Sequence, residues 1–414
     1  MRRRFSVPFL ALAILAGLFG VGLSVGFAKS KSASGKTPAA KKTSASTTKP
    51  TQSSSAKAPA TNTKRVSSAS AKKSGSSRAK KRRRRLPRYS PWNVPTYADS
   101  TAGDNIDGDD LSVRRAAVEA LGPYNGSVAV VDSSSGRVLT IVNQKLAFSS
   151  GYKPCSTIKV PVALAGVKEG IVDSETRLRL GRRTFMDLTE ALARSNNSYF
   201  EILGRRVGFE KVNYYARQLG LGEKALLDSP LEQPGQYPSQ PIAEAAGGVG
   251  RMCSFGEGIT ITPLQLAAMM TAIANGGTLY HLQYPRSLEE IASFAPRVKR
   301  HVDMAPQIEE VRPGLLAATE YGTATRATYN PQQPILGKTG TCTDDRTHLG
   351  WFASYNEVGD RRLVAVVLLT GGRGVSGPLA SEIAGNLFRN LSERDFYRQA
   401  KLVPRPGTEG DGGQ

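Results

Sequence analysis

The residue types and spacing of one short segment suit a serine nucleophile with a lysine base. In Cys155-Ser156-Thr157-Ile158-Lys159, the side chains of Ser156 and Lys159 share one face if a helix begins near Ser156. A serine hydroxyl becomes a good nucleophile when a neighbouring base removes its proton. A lysine can act as that base if burial or nearby cations lower its pKa. The segment predicts Ser156 as nucleophile and Lys159 as base, although the spacing alone occurs in many helices.

A second segment, Ser195-Asn196-Asn197, supplies a further hydroxyl and an amide after a predicted helix. The Ser195 hydroxyl is suited to relay a proton between Lys159 and a leaving nitrogen. The Asn197 side chain is suited to hydrogen-bond a substrate amide. Taken alone, this is ordinary loop composition.

The third segment, Lys338-Thr339-Gly340-Thr341, lies in a β-rich run. A cation and two hydroxyls on one strand suit a substrate carboxylate, and Gly340 lets a ligand backbone lie close to the strand. The alternative is a plain edge strand with a solvated lysine. The order of the three segments along the chain makes their joint signal much stronger than that of any one of them.

The elements that must position these motifs form a mixed pattern, with a hairpin first, helices in the middle and strands at the end. This pattern predicts an α+β fold in which the first and last elements of an antiparallel sheet meet, and the strand of the third motif is a candidate neighbour of the first hairpin. The predicted strands are Ser127–Val131, Val138–Val142, Ile335–Thr341, Leu349–Tyr355 and Leu363–Leu369. The predicted helices are Val113–Leu121, Lys159–Val167, Phe185–Ala193, Phe209–Leu219, Pro263–Ala274 and Leu379–Leu391.

The charge of the protein is concentrated at its N-terminus. The chain of 414 residues has 56 Lys and Arg, 34 Asp and Glu and a net charge of +22. The first 90 residues hold 22 of the basic residues and no acidic one, so the remainder is neutral by count. This distribution indicates a neutral domain with a basic tail and argues against a nucleic-acid-binding protein.

Residues 1–28 have the pattern of a signal peptide or a membrane anchor. A basic start at residues 2–4 precedes an apolar run over residues 5–28. Small residues around Ala28 favour cleavage, whereas the length of the run favours an uncleaved anchor, which we prefer. Residues 29–85 predict a disordered tether, and residues 86–112 a linker. The basic tether either only holds the domain away from the membrane or also contacts anionic lipid or wall polymer.

Metal and cofactor sites are not predicted. The three Cys (Cys155, Cys253, Cys342) and the three His (His281, His301, His348) lack close metal-ligand spacing.

From residue 113 to residue 395 the chain resembles the transpeptidase domain of penicillin-binding proteins, of the monofunctional class B type. The three motifs carry the resemblance. Further stretches that resemble the family are Gly256–Ala267 continuing to Gly277, Gly322-Thr323-Ala324 and Gly350-Trp351-Phe352. The resemblance implies the β-lactamase-like fold, an antiparallel sheet flanked by helices with an inserted all-helical lobe. Residues 396–414 then form a C-terminal tail.

The resemblance also implies a reaction, which is acyl transfer from D-alanyl-D-alanine stem peptides of peptidoglycan. Ser156 attacks, Lys159 takes its proton and Ser195 helps to protonate the departing D-Ala. The N–H groups of Ser156 and Thr341 form an oxyanion hole, while Lys338, Thr339 and Thr341 hold the terminal carboxylate. Penicillins and other β-lactams acylate Ser156, and the catalytic domain lies outside the cytoplasm, either anchored or secreted.

Several alternatives stay open at this stage. The same motifs serve D,D-carboxypeptidases and serine β-lactamases, and Glu210 with Asn213 superficially offers a deacylating pair on a predicted amphipathic helix. A penicillin sensor or a degenerate domain is the non-enzymatic alternative. We expect no room for a glycosyltransferase domain. Cys155 is expected to be a packed residue, and a disulfide to Cys342 is conceivable because each cysteine adjoins a motif.

Overall fold

The strands in the described part of the protein form one large sheet and two short hairpins. The computed structural model describes residues 93–149, 151–344, 347–359 and 361–399. Their strands are β1 (Gly126–Asp132), β2 (Val138–Val142), β3 (Leu178–Arg179), β4 (Phe185–Met186), β5 (Thr278–His281), β6 (Arg297–His301), β7 (Ile335–Asp344), β8 (Thr347–Asn356) and β9 (Leu363–Gly371).

The large sheet has the strand order β2-β1-β9-β8-β7, and all its neighbours are antiparallel. The first hairpin therefore meets the last strand, as predicted. The suggestion that the strand of the third motif lies beside the first hairpin is wrong, because β9 and β8 separate β7 from β1. Every residue of β9 is buried, whereas β7 has exposed residues in its second half. The more apolar strand takes the central position and the polar one the edge.

Helices pack on both faces of this sheet, which confirms the predicted α+β class. They are α1 (Leu111–Leu121), α2 (Gln144–Ala147), α3 (Lys159–Lys168), α4 (Leu188–Ala193), α5 (Asn197–Val207), α6 (Phe209–Gln218), α7 (Gly248–Phe255), α8 (Pro263–Ala274), α9 (Leu288–Ala292), α10 (Ala305–Glu320), α11 (Gly377–Glu393) and α12 (Phe396–Gln399). Short 3₁₀ turns cover Cys155–Ile158, Glu244–Ala246 and Thr325–Ala327.

Alternation along β1 separates two apolar cores. Val128 and Val130 pack with α1 and α11 on one face of the sheet. Ala129 and Val131 pack on the other face with the larger core, which includes buried residues of α3, α5, α8 and α10. Because successive side chains of a strand point to opposite faces, one short strand contributes to both cores. The larger core is the one that holds the candidate site.

One predicted helix begins later than expected. The pattern predicted a helix over Phe185–Ala193, but Phe185 and Met186 pair with β3 and the helix begins at Leu188. The Asp187 side chain accepts a hydrogen bond from the Glu190 N–H, so it acts as the N-cap. The other predicted helices and strands of the domain are present with shifts of a few residues at their ends.

Much of the predicted N-terminal region lies outside the described residues. This applies to the signal or anchor at 1–28, the tether at 29–85 and the first part of the linker at 86–112. In the described ranges, no helix has both the length and the hydropathy that a membrane crossing needs.

A buried ion cluster attaches residues 104–110 to the domain. The guanidinium of Arg114 on α1 lies 2.8 Å from the Asp104 carboxylate and 3.0 Å from the Asp109 carboxylate. It also donates a hydrogen bond of 3.2 Å to the Ile141 carbonyl, and Tyr284 donates to Asp109. The two carboxylates are almost completely shielded from solvent. The described part of the predicted linker is therefore held against the sheet by charged hydrogen bonds.

The first prediction concerns this cluster. Replacing Arg114 with Met removes the cation and leaves two buried carboxylates without a compensating charge. We expect the free energy of unfolding to fall by about 3–5 kcal/mol, measured by urea denaturation of the full chain. The exposed neighbour Arg115 provides the control, because Arg115→Met should change stability by less than about 0.5 kcal/mol. Equal stabilities for the two variants would contradict this account of the cluster.

Candidate active site

The nucleophile motif forms a 3₁₀ turn that runs directly into a buried helix. Cys155–Ile158 is the 3₁₀ turn, and α3 begins at Lys159. Side chains at i and i+3 nearly eclipse each other in a 3₁₀ turn, so Lys159 lies over Ser156. The Lys159 Nζ is 3.1 Å from the Ser156 Oγ. The structure therefore brings the predicted base into contact with the predicted nucleophile.

The second motif reaches the same amine from the opposite side. Ser195 occupies the left-handed backbone region, with φ of +55°, in the connection between α4 and α5. Both its carbonyl oxygen (2.7 Å) and its Oγ (3.1 Å) contact the Lys159 Nζ. Asn196 caps α5 by accepting from the Tyr199 N–H, which places Asn197 at the first helical position. The Asn197 Oδ1 lies 2.6 Å from the same Nζ.

Burial determines the protonation of Lys159. Its side chain has no exposed surface, and this desolvation lowers its pKa from 10.5 to about 7, partly offset by the negative charge of Glu201. An uncharged amine has two N–H donors and one lone pair. The Ser195 carbonyl and the Asn197 Oδ1 can only accept, so they take the two N–H groups. The lone pair is then left to accept a proton from one of the two serine hydroxyls.

Lys338 of the third motif lies beneath the surface of the site. It is completely buried on β7, and its Nζ donates a hydrogen bond of 3.1 Å to the Thr339 carbonyl. Burial, together with the positive charge of Lys159, holds the pKa of Lys338 well below its usual value. An approaching anion would favour the protonated form of Lys338. Lys338 makes this end of the site receptive to negative charge.

Hydroxyl groups gather where β7 meets the start of α11. The Oγ1 atoms of Thr339 and Thr323 are 2.6 Å apart, and the Thr341 Oγ1 accepts a hydrogen bond of 2.7 Å from the Gly377 N–H. Thr341 is exposed, whereas Thr339 is buried. A Cβ added at Gly377 would lie 2.8 Å from the Thr339 Cβ, so the absence of a side chain lets α11 approach the strand. These hydroxyls can donate to a carboxylate of a bound ligand.

The missing side chain of Gly340 lets the nucleophile turn pack closely against β7, in addition to the predicted close approach of a ligand. A Cβ at this position would lie 3.0 Å from the Pro154 carbonyl oxygen and 3.2 Å from the Thr157 Cγ2. Trp351, which pairs with Gly340 across β7 and β8, donates its indole N–H to the Lys153 carbonyl at 3.0 Å. The glycine and the tryptophan together seat the nucleophile turn against the sheet.

A disulfide joins the first and third motifs. Cys155 and Cys342 are bonded, with their Cα atoms 5.6 Å apart and a sequence separation of 187. Cys155 is fully buried and also occupies the left-handed region, with φ of +52°. The bridge considered from the sequence is therefore present, whereas Cys253 is a free, buried thiol.

The sequence alone predicted no role for three residues of the site, Thr323, Trp351 and Glu201. Thr323 and Trp351 lie in stretches that match the family pattern, but their partners Thr339 and Lys153 are distant along the chain. Glu201, one turn into α5, acts on Lys159 through its charge. A carboxylate four residues after Asn197, on the same helix face, is the signal that could have identified it.

The protein matches a family model described as the penicillin-binding protein transpeptidase domain over residues 126–393. It is 27% identical over 288 residues to stage V sporulation protein D of Bacillus subtilis (strain 168), covering 61% of this chain and 44% of that protein. It is 28% identical over 280 residues to peptidoglycan D,D-transpeptidase MrdA of Acinetobacter baumannii, covering 56% and 42%. The chain thus spans less than half the length of these curated relatives.

A solved structure shares the fold. The crystal structure of Pseudomonas aeruginosa PBP2 superposes with a TM-score of 0.59 at 21% identity, covering 69% of this chain and 74% of that chain. The family model covers more than half of the protein and includes all three motifs. The chain belongs to the penicillin-binding protein transpeptidase domain family.

Proposed function

We propose that the protein is a peptidoglycan D,D-transpeptidase that forms an acyl-enzyme on Ser156. The observation that supports this most strongly is the position of the Lys159 amine, 3.1 Å from both the Ser156 and the Ser195 hydroxyls. A pKa of about 7 makes this amine a competent base at neutral pH. The site thus has a base that can take a proton from one hydroxyl and return it through the other.

In the proposed acylation, the Ser156 Oγ attacks the penultimate carbonyl of a D-Ala-D-Ala stem peptide while its proton passes to Lys159. Lys159 then returns a proton through Ser195 to the nitrogen of the departing D-Ala as the C–N bond breaks. The amide nitrogen of Asn197 is the group that donates to a substrate carbonyl, because its oxygen accepts from Lys159. Deacylation reverses these roles with an incoming amine as the acceptor of the acyl group.

Negative charge on the substrate has two sets of candidate partners, one for the developing oxyanion and one for the terminal carboxylate. The N–H groups of Ser156 and Thr341 would hold the oxyanion of the tetrahedral intermediate, where one donor typically contributes about 3–4 kcal/mol to the transition state. The hydroxyls of Thr339 and Thr341 would contact the terminal carboxylate directly. Because Lys338 is fully buried, we assign it an electrostatic role beneath these hydroxyls.

The edge position of β7 supports an extended peptide as the substrate. β7 pairs only with β8 in the described sheet, so its second side is free of strand partners there. A peptide stem can align along such an edge through main-chain hydrogen bonds. This geometry gives a reason for Gly340 and the two threonines to lie on an edge strand.

The structure gives less support to a β-lactamase. Such an enzyme needs a group that activates the deacylating water, yet among the described residues no carboxylate hydrogen-bonds to Ser156 or Lys159. Glu210 on α6 is exposed, and Asn213 accepts from Arg217. The helix that carries both residues, α6, is an ordinary amphipathic helix. The D,D-carboxypeptidase reaction, with water as acyl acceptor, is the alternative that uses the same site.

We also propose that the domain acts outside the cytoplasm. The disulfide between Cys155 and Cys342 supports an oxidising compartment, which agrees with an export signal or anchor at residues 1–28. The basic tether would then lie near anionic lipid or wall polymer.

The second prediction is a stable penicilloyl adduct on Ser156. The full chain incubated with benzylpenicillin should gain one drug mass within minutes and keep it over many minutes, because the described site lacks a deacylating carboxylate. Intact-protein mass spectrometry followed by peptide mapping measures both the mass and the position. Ser156→Ala should show no adduct, while the control Ser149→Ala should behave as the parent protein.

The acceptor of the acyl group is identified by incubating the protein with a pentapeptide that ends in D-Ala-D-Ala and with an added D-amino acid. A transpeptidase should give the exchanged peptide as well as D-Ala, whereas hydrolysis alone would identify a carboxypeptidase. Rapid loss of the adduct with accumulation of hydrolysed drug would instead identify a β-lactamase. Absence of any adduct in the parent protein would contradict the proposed catalytic function.

The third prediction is a pH dependence set by Lys159. Acylation requires the neutral amine, so its rate should rise as pH increases through about 7 and level off above it. The charge of Glu201 raises the pKa of Lys159, and Glu201→Gln should therefore move the midpoint of this rise to lower pH. Stopped-flow acylation by a fluorescent penicillin measures the profile. The exposed Glu210→Gln is the matched control, and a midpoint that moves upward in Glu201→Gln would contradict the assignment.

A further inference from the structure

We propose that the Cys155–Cys342 disulfide is a positioning element of the oxyanion hole, an inference that rests on the proposed function. Each half-cystine is directly bonded in sequence to one of the two residues whose N–H groups would form that hole. Cys155 precedes Ser156, and Cys342 follows Thr341. The disulfide thus links the two donor residues covalently, because each donor residue is the sequence neighbour of one half-cystine.

The two donors belong to separate elements that pack against each other. Ser156 lies in the 3₁₀ turn, whereas Thr341 lies on β7, an edge strand held by β8 alone in the described sheet. In the described residues, Trp351 donates an indole hydrogen bond to Lys153, Gly340 approaches Pro154 and Thr157 closely, and Cys155 and Ile158 share an apolar core with Trp351. None of these contacts involves the N–H group of Ser156 or of Thr341.

The backbone at Cys155 shows why a constraint is needed there. A non-glycine residue in the left-handed region is unfavourable and persists only where the surroundings hold it. The half-cystine is fully buried and bonded to β7, so the bridge supplies such a constraint. The conformation at residue 155 sets where the next N–H, that of Ser156, points. Loss of the bridge should therefore affect the chemical step more than substrate binding.

The bridge is open to a reductant from one side. Cys155 is fully buried, whereas Cys342 is half-exposed, so a thiolate would attack the Cys342 sulfur. With dithiothreitol, the S–S bond breaks and both cysteines become thiols. The two thiols of the reagent are oxidised to its cyclic disulfide, which balances the two electrons and two protons transferred.

The test compares the full chain oxidised, reduced and reoxidised with the Cys155→Ala, Cys342→Ala and double variants. Acylation by benzylpenicillin at Ser156 is separated by stopped flow into a dissociation constant and an acylation rate constant, well below the unfolding temperature. We expect the rate constant to fall by about 10–100-fold on reduction and to recover on reoxidation. The dissociation constant should change by less than about threefold, since a tenfold change in affinity would require loss of a full binding contact.

Because the bridge is a single bond, each single variant should lose as much rate as the double variant. Cys253→Ala removes a buried sulfur that forms no bridge and should keep the parent rate, which controls for core packing. An acylation rate constant that is equal in the oxidised and reduced proteins would overturn the proposal, even if their unfolding temperatures differ. An oxidised parent protein that is not acylated at Ser156 would overturn the proposed function and this inference with it.

Discussion

The burial of the Lys159 amine is the constraint on which the active site depends. An ammonium without exposed surface loses its hydration, so burial shifts the protonation equilibrium of Lys159 toward the neutral form and lowers its pKa to about 7. The neutral form in turn needs partners for its two N–H groups, and the Ser195 carbonyl and Asn197 supply them. The lone pair that remains faces the nucleophile. Stability and reactivity are thus consequences of the same contacts, which come from three separate segments of the chain.

Two unfavourable backbone conformations make this convergence possible. Cys155 and Ser195 both occupy the left-handed region, one directly before the nucleophile and one beside the base. Each is held by contacts that also serve the site, the disulfide to Cys342 in the first case and the carbonyl contact to Lys159 in the second. Strain of this kind is typical of functional sites, where the surroundings determine the geometry more strongly than local preference does.

The sequence predicted the motif residues and most element bounds because both depend on local patterns. The spacing of Ser156 and Lys159 and the start of α8 at Pro263 are visible within a few residues. The separation of β7 from the first hairpin was not visible, because strand order depends on how apolar whole strands compare. The contact between Thr323 and Thr339 and the charge effect of Glu201 on Lys159 likewise appear only when the elements pack.

The central claim, that burial lowers the pKa of Lys159 to about 7, is tested most directly by the titration of this lysine. The intact protein with isotope-labelled lysine side chains can be followed by NMR across the pH range, with Lys159→Met identifying the resonance. The account predicts a lysine that titrates at about pH 7 and whose signal is missing from the variant. A resonance of Lys159 that titrates near the ordinary value of 10.5 would contradict it.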